Sequence, residues 1–511
     1  MFKKMRRITA VALLLGLIAA GIWLAKQHAA RHGVLVTVSK ETTVITEPLR
    51  KDGYVDYIGA VNSILGKGVT PENNALVPFW NAIGPAEIAP KDRAEYFRLL
   101  GVKPPAENGN YFISLEDFVR QHAVAAGFDA IDEQFGKAEE RPWTKNEFPV
   151  LAAWLDANQS RLETIVAASH MPRCYSPLIG DETGMLMRVK LPAPQAIRRA
   201  GRALVARAML RLSEGNTDAC WRDILATHRL ARLCGQGFCM VEALIAQTIN
   251  GIACRGDQIV CQTIRLSAAD ALRMRDDFMR LPPLPNMVDI VDRGERLSLL
   301  SAMVSIARGD ETTSKGTLEK IGSDITREAV DWDIPLRITN SWYDRAVEAI
   351  RKPTAKQQRE ALDEFTEQLR STADSVGSGA APSLLHFQGA LSERVGQRIV
   401  ALLFPAVDGA NDSAHIAEMR VELSKLSFSL AAYRANHGTF PTQLGDLVPK
   451  FAAEIPKDVF AGKDLHYKRD GDGYLLYSVG RNGKDDGGRG YEDRKDGDDR
   501  DGDDIVVRVL K

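Results

Sequence analysis

The sequence predicts a mainly α-helical protein in three parts: an N-terminal transmembrane helix, an irregular α-helical domain, and a C-terminal α+β domain of one helix and a small antiparallel sheet. Three observations carry this. An uncharged apolar run covers Ile8–Ala25. Helical patterning, punctuated by proline and glycine, continues from about residue 53 to 405. After Gly438 the pattern changes to short apolar or alternating stretches between Gly- and Asp-rich turns, the signature of strands and hairpins. The chain has 511 residues, more than the roughly 250–300 that one core usually holds. Residues 1–30, 31–52, 53–405 and 408–511 are therefore read as anchor, extended linker, helical domain and C-terminal domain.

Lys3, Lys4, Arg6 and Arg7 precede the apolar run, and its 18 residues carry no charge. That length approaches the about 20 residues that span a bilayer and exceeds the about 7–15 of a cleavable signal. No small-x-small cleavage site follows closely, which favours a retained anchor over a removed signal. The four basic residues outnumber Lys26 and Arg31 behind the run. By the positive-inside rule the N-terminus stays in the cytoplasm and the bulk is exported. The expectation is a single-pass protein of the bacterial inner membrane with a periplasmic body, held to the membrane by residues 8–25. A composition of 45% hydrophobic and 26% charged residues excludes global disorder. A net charge of −1 gives no pull toward nucleic acid.

An extended piece is expected over 34–48, from alternating Val34, Val36 and Val38 followed by Thr42–Thr46. Short helices are expected at Asn74–Ala82, Ala94–Gly101 and Leu115–Ala126, and a longer one at Leu151–Ala168. Pro192 and Pro194 open the most regular stretch: Ala196–Leu212, Asp218–Leu233 and Val241–Val260, separated by glycines placed to end helices. Alanines at 196, 200, 203, 206, 208, 219 and 226 allow close helix approach. Ala355–Thr372 reads as a solvated helix, Ser375–Ser383 as a linker, and Leu384–Phe404 as a further apolar helix, with a break from Pro405 through Asp412. The six cysteines are Cys174, Cys220, Cys234, Cys239, Cys254 and Cys261. They read as buried thiols acting as small hydrophobes, with a Cys234–Cys239 bridge left open by the intervening turn.

Ser413 is placed to cap a helix ending at Gly438. Met419, Leu423, Leu426, Leu430 and Tyr433 form one apolar stripe that must bury against another element. Strands are expected at Leu465–Lys468, Tyr474–Val479 and Ile505–Leu510. The ordered set Leu430–Pro441, Leu444–Pro449, Ile455–Asp458, Tyr474–Gly483 and Asp503–Ile505 resembles the soluble head of the type II secretion major pseudopilins. It covers about a fifth of the chain. The resemblance implies an α+β head, calcium in its loops and kinship with a secretion fibre. Two features depart from that family. The apolar segment lies some 400 residues upstream, without the pseudopilin leader pattern, and Gly490–Asp501 is longer and more charged than the family's loop.

Between Asp470 and Asp504 there are twelve acidic and six basic residues. Calcium takes six to eight oxygens from carboxylates and carbonyls. The Ser478–Gly488 loop offers Asn482, Asp485, Asp486 and backbone carbonyls such as that of Val479, and the approach to the last strand offers Asp503 and Asp504. Adjacent strands would bring these loops together. The resemblance implies that Asn482 stands where the family has an aspartate, one charge fewer. A solvated acidic loop is the alternative. No EF-hand spacing, His-Glu-x-x-His, Gly-x-Ser-x-Gly or phosphate-binding loop occurs, and no catalytic residue is assigned. His228 reads as a satisfied helix residue. Three functional readings follow: a membrane-anchored scaffold binding a protein partner, a component of a secretion or pilus-like apparatus, and a hydrolase with its site in the helical domain.

Overall fold

Helix α1 (Tyr57–Leu65) begins where the Asp56 side chain accepts from Gly59 N, and α4 (Leu115–Gln121) where Ser114 accepts from Asp117 N, as N-caps do. Between them lie α2 (Leu76–Ile83) and α3 (Pro90–Leu99); α5 (Gly127–Glu140) follows. These coordinates are a computed structural model that describes residues 33–310, 327–375, 387–404, 407–490, 493 and 502–509. The fold is mainly helical with one small antiparallel sheet. Among the described residues no helix is long and apolar enough to cross a membrane. The 8–25 run, most of the 375–383 linker and nearly all of the 490–501 insertion lie outside them.

The helix expected over 151–168 divides into α6 (Pro149–Ala157) and α7 (Gln159–Ala168). Asn158, fully buried, is the cause. Its side chain accepts from Ile113 N at 2.8 Å and donates to Ile113 O at 3.0 Å, pairing the backbone of the passing 111–114 chain at the cost of helix continuity. The most regular stretch folds as α8 (Pro192–Ser213), α9 (Thr217–Cys234) and α10 (Met240–Thr263), packed on one another. Ala196, Ala200, Ala203, Ala206, Ala208 and Ala226 are buried between helices. All six cysteines are free thiols, five buried and Cys174 half-buried.

After α11 (Ala268–Met279), a helical turn at Met287–Asp289 widens into a π-helical turn, Ile290–Glu295, before α12 (Arg296–Arg308). Helices α13 (Asp333–Ile350), α14 (Ala355–Ser375) and α15 (Phe387–Leu403) pack together beside it. Two expectations are corrected. The piece expected to be extended over 34–48 is interrupted by a turn: Thr42 and Thr43 are buried in it, and its Ser39 carbonyl is bonded by Thr43 N and Thr43 Oγ1. The last helix, α16 (Val407–His437), begins six residues before Ser413. Ser413 Oγ donates to Gly409 O, so it lies inside the helix and caps nothing. Gly438 ends α16 as expected, its N–H returning to Arg434 O.

The sheet has order β1 (His466–Asp470), β2 (Gly473–Ser478), β3 (Ile505–Val509), antiparallel throughout. Tyr474 pairs with both Arg469 and Val509. Two hydrophobic cores form. One joins α2–α11 to the sheet and the middle of α16; the other joins the 36–61 segment, α1, the π-turn and α12–α15 to the first residues of α16. Helix α16 therefore enters both, with Val407 and Ala410 in one and Met419 through Ala432 in the other. The Met419–Leu430 stripe is buried, resting on α10 and α11 as well as on the sheet, and Trp221 of α9 meets Phe428 edge to face at 5.2 Å.

Candidate metal centre

Strand β2 delivers its last residue, Ser478, to a buried carboxylate. Asp458, 1% exposed, accepts from Ser478 Oγ at 3.0 Å, Val479 N at 2.8 Å, Phe460 N at 2.8 Å and Ala461 N at 3.3 Å. It clamps the 456–462 loop to the chain leaving the sheet. Immediately beyond, Gly480 (φ +62°) passes so close to the approach to β3 that a Cβ there would lie 2.2 Å from Asp503 O. Only glycine permits that approach, and it lays the two acidic loops side by side.

One carboxylate oxygen each of Asp486, Asp503 and Asp504 lies within 4.8 Å of the others. Asn482 N donates to Asp503 Oδ2 at 2.9 Å, and Asn482 Nδ2 to Asp486 Oδ2 at 2.8 Å. Asp504 is 3% exposed. Its Oδ2 accepts from Gly488 N at 2.8 Å, while its Oδ1 is buried without a hydrogen-bond partner among the described residues. Burial, with the Asp486 and Asp485 charges adding to it, pushes the Asp504 carboxyl up to about 6.

Of the residues expected from sequence, four converge: Asn482, Asp486, Asp503 and Asp504. Val479 is buried, its N–H held by Asp458. Asp485 turns the other way. Its Oδ1 accepts from Tyr477 OH at 2.8 Å and from Gly487 N at 2.9 Å, and its Oδ2 lies 3.5 Å from His466 Nδ1; the Gly487 and Tyr477 bonds hold its carboxyl below the usual range. Asn482 Oδ1 is engaged by Lys484 N at 2.6 Å. The donor set is all oxygen, which suits a hard cation such as calcium or magnesium and not a thiophilic one. An orphaned buried carboxylate oxygen amid like charges is what a cation would relieve.

The Asp458 clamp escaped the sequence reading, although Ile455–Asp458 marks its place; an aspartate two residues before Phe460 gives no hint of reaching Val479. A second group, wholly buried, joins α9 and α10. His228 Nε2 lies 3.0 Å from Asp257 Oδ2, and His228 Nδ1 3.2 Å from Asn250 Oδ1, which also accepts from Arg232 Nη1 at 2.7 Å. Cys254 adjoins them. Each His228 ring nitrogen has an oxygen within reach, Asp257 Oδ1 is buried without a partner among the described residues, and the Arg232 guanidinium opposes a further cation there. Beside it, Arg207 grips Asp223 with two bonds of 2.9 and 2.7 Å, and Arg211 adds a third of 2.7 Å, a buried ionic tie between α8 and α9.

No protein family, no curated protein and no solved structure matches this chain.

Proposed function

We propose that this is a membrane-anchored, extracytoplasmic scaffold or interaction protein of the bacterial inner membrane, whose pseudopilin-like C-terminal head is stabilised by calcium. The observation that carries the calcium reading is the buried, unpartnered Oδ1 of Asp504 beside Asp486 and Asp503. The order of a long helix, three antiparallel strands and two acidic loops meeting at the ends of β2 and β3 supports the pseudopilin likeness. The basic residues before Ile8–Ala25 support the anchor.

A scaffold is favoured over a fibre subunit by the state of α16. A pseudopilin assembles through its long apolar helix, whereas the stripe on α16 is spent against α10 and α11 of the same chain.

The test is thermal melting of the full chain in detergent with about 1 mM calcium, with magnesium, and with a chelator. A ligand that binds only the folded form raises Tm. Calcium raises Tm in the wild type, and Asp504→Asn removes that rise without lowering the metal-free Tm, because the substitution also relieves repulsion. An unchanged Tm across all three conditions would overturn the metal reading; cytoplasmic accessibility of a tag placed after residue 511 would overturn the topology.

A further inference from the structure

The acidic loop after β2 is held from outside by α14, a helix of the other hydrophobic core. We infer that α14 is coupled to the acidic site through one peptide group, that between Arg481 and Asn482, so that a cation held by Asp486, Asp503 and Asp504 and the docking of the start of α14 each strengthen the other. This coupling presupposes the calcium site proposed above and extends its effect to a helix that shares no sequence neighbourhood with it.

The peptide between Arg481 and Asn482 is bonded at both ends. Its N–H, that of Asn482, donates to Asp503 Oδ2 at 2.9 Å. Its carbonyl, that of Arg481, accepts from Arg359 Nη1 of α14. A trans peptide is planar, with N–H and C=O pointing opposite ways, so it cannot turn away from Asp503 and keep its bond to Arg359. Two further contacts hold the same guanidinium. Arg359 Nη2 donates to Asp412 Oδ1 at 3.0 Å, and Arg481 Nε lies 2.6 Å from Asp412 Oδ2. Asp412, on α16, is 6% exposed. The Arg359 charge also stands 5.8 Å over the Phe460 ring, and Phe460 N is one of the donors to Asp458. Arg359 therefore meets the metal loop, α16 and the Asp458 clamp at once. One residue earlier, Gln358 Oε1 accepts from Asn411 Nδ2 at 2.9 Å and lies 2.8 Å from His415 Nε2, a second attachment of α14 to α16 that does not involve the loop.

The direction of the coupling follows from charge. One oxygen each of Asp486, Asp503 and Asp504 lies within 4.8 Å of the others, and like charges so close repel. Without a cation that repulsion drives the 478–488 loop away from the approach to β3, and the Asn482 N–H leaves Asp503 with it. A divalent cation removes the repulsion, keeps Asp503 beside Asn482, and so keeps the Arg481 carbonyl where Arg359 reaches it. Three carboxylates still outnumber the charge of one divalent cation, so Arg359 is not driven off. The effect is reciprocal by linkage: a helix that holds the Arg481 carbonyl raises the cation affinity by the same factor. The Arg481 side chain is 54% exposed, and the factor expected of one hydrogen bond from a charged donor at such a site is about three- to tenfold.

The experiment is hydrogen exchange read by mass spectrometry on the full chain in detergent, with about 1 mM calcium or with chelator, beside a calorimetric calcium titration. Calcium is expected to slow exchange severalfold in peptides from 355–365 as well as from 478–488, with peptides from α3 as the unaffected reference. Arg359→Ala is expected to weaken calcium binding about three- to tenfold and to abolish the effect of calcium on 355–365, while circular dichroism is unchanged. Arg481→Ala removes the ion pair with Asp412 but leaves the carbonyl in place, and it is expected to keep that effect. A titration without calcium binding overturns the metal site and the coupling together. Calcium binding with identical exchange in 355–365 overturns the coupling alone, a comparison within the wild type that needs no variant to fold. Unchanged calcium affinity in Arg359→Ala overturns it as well, and loss of the effect in Arg481→Ala overturns the route through the peptide group.

Discussion

Asp458 accepts four hydrogen bonds while almost wholly buried, so its loss strands Ser478 Oγ and Val479 N away from water. Asp458→Ala is expected to cost about 3–5 kcal/mol in denaturant unfolding, and to weaken the proposed calcium binding by loosening the loop that begins at Val479. Asp504 gives a pH prediction. Its folded-state carboxyl sits at about 6, against roughly 3.9 in an unfolded chain, so the folded form holds that proton more tightly. Without metal, the stability this proton contributes is complete below the unfolded value and lost as pH rises through the folded one. A cation requires the carboxylate. The calcium-induced rise in Tm is therefore expected to be smaller at pH 5 than at pH 7, read by melting at both. The oxygen donors were legible in sequence because carboxylates cluster visibly between Asp470 and Asp504. That Asp485 faces Tyr477 and His466, and not the cluster, was not: the direction of one side chain in a loop depends on contacts with another strand.

Among the elements, α16 separates local from tertiary causes. Its apolar spacing named the buried face, and Leu430, fully buried, is expected to lose about 2–5 kcal/mol on Leu430→Ala. Ser413→Ala is expected to stay within about 0.5 kcal/mol, because the hydroxyl is a back-bonded interior group and no cap. Urea unfolding of the two variants measures both. A serine ahead of a periodic stretch looks like a cap from sequence alone. What carried the helix six residues further back was the burial of Val407 and Ala410 in the second core, a contact no local pattern announces. The division at Asn158 has the same origin, since its partner Ile113 is 45 residues away.

At the scale of the whole molecule, α16 runs through two cores and the sheet rests on α10. The C-terminal segment thus completes the core of the helices before it. Calorimetric unfolding of the full chain is expected to show one cooperative transition, and a chain ending at residue 406 is expected to expose the α10 and α11 faces and bind a hydrophobic dye. Two well-separated transitions, with the truncated chain melting as sharply as the whole, would contradict the shared core.

The sequence by itself determined the mainly helical character, the positions of α8–α10, the strand pattern after Gly438 and the clustering of carboxylates in the acidic loops. These rest on spacings within a turn or two of chain, where i, i+3 and i+4 neighbours or alternating faces are set by backbone geometry. Only the tertiary structure decided that α16 serves two cores, that Asp458 fastens the loop leaving β2, and that Asn158 divides a helix by bonding Ile113. Each of these joins residues tens to hundreds of positions apart, and its energy comes from burial and from hydrogen bonds that exist only once the helices have met.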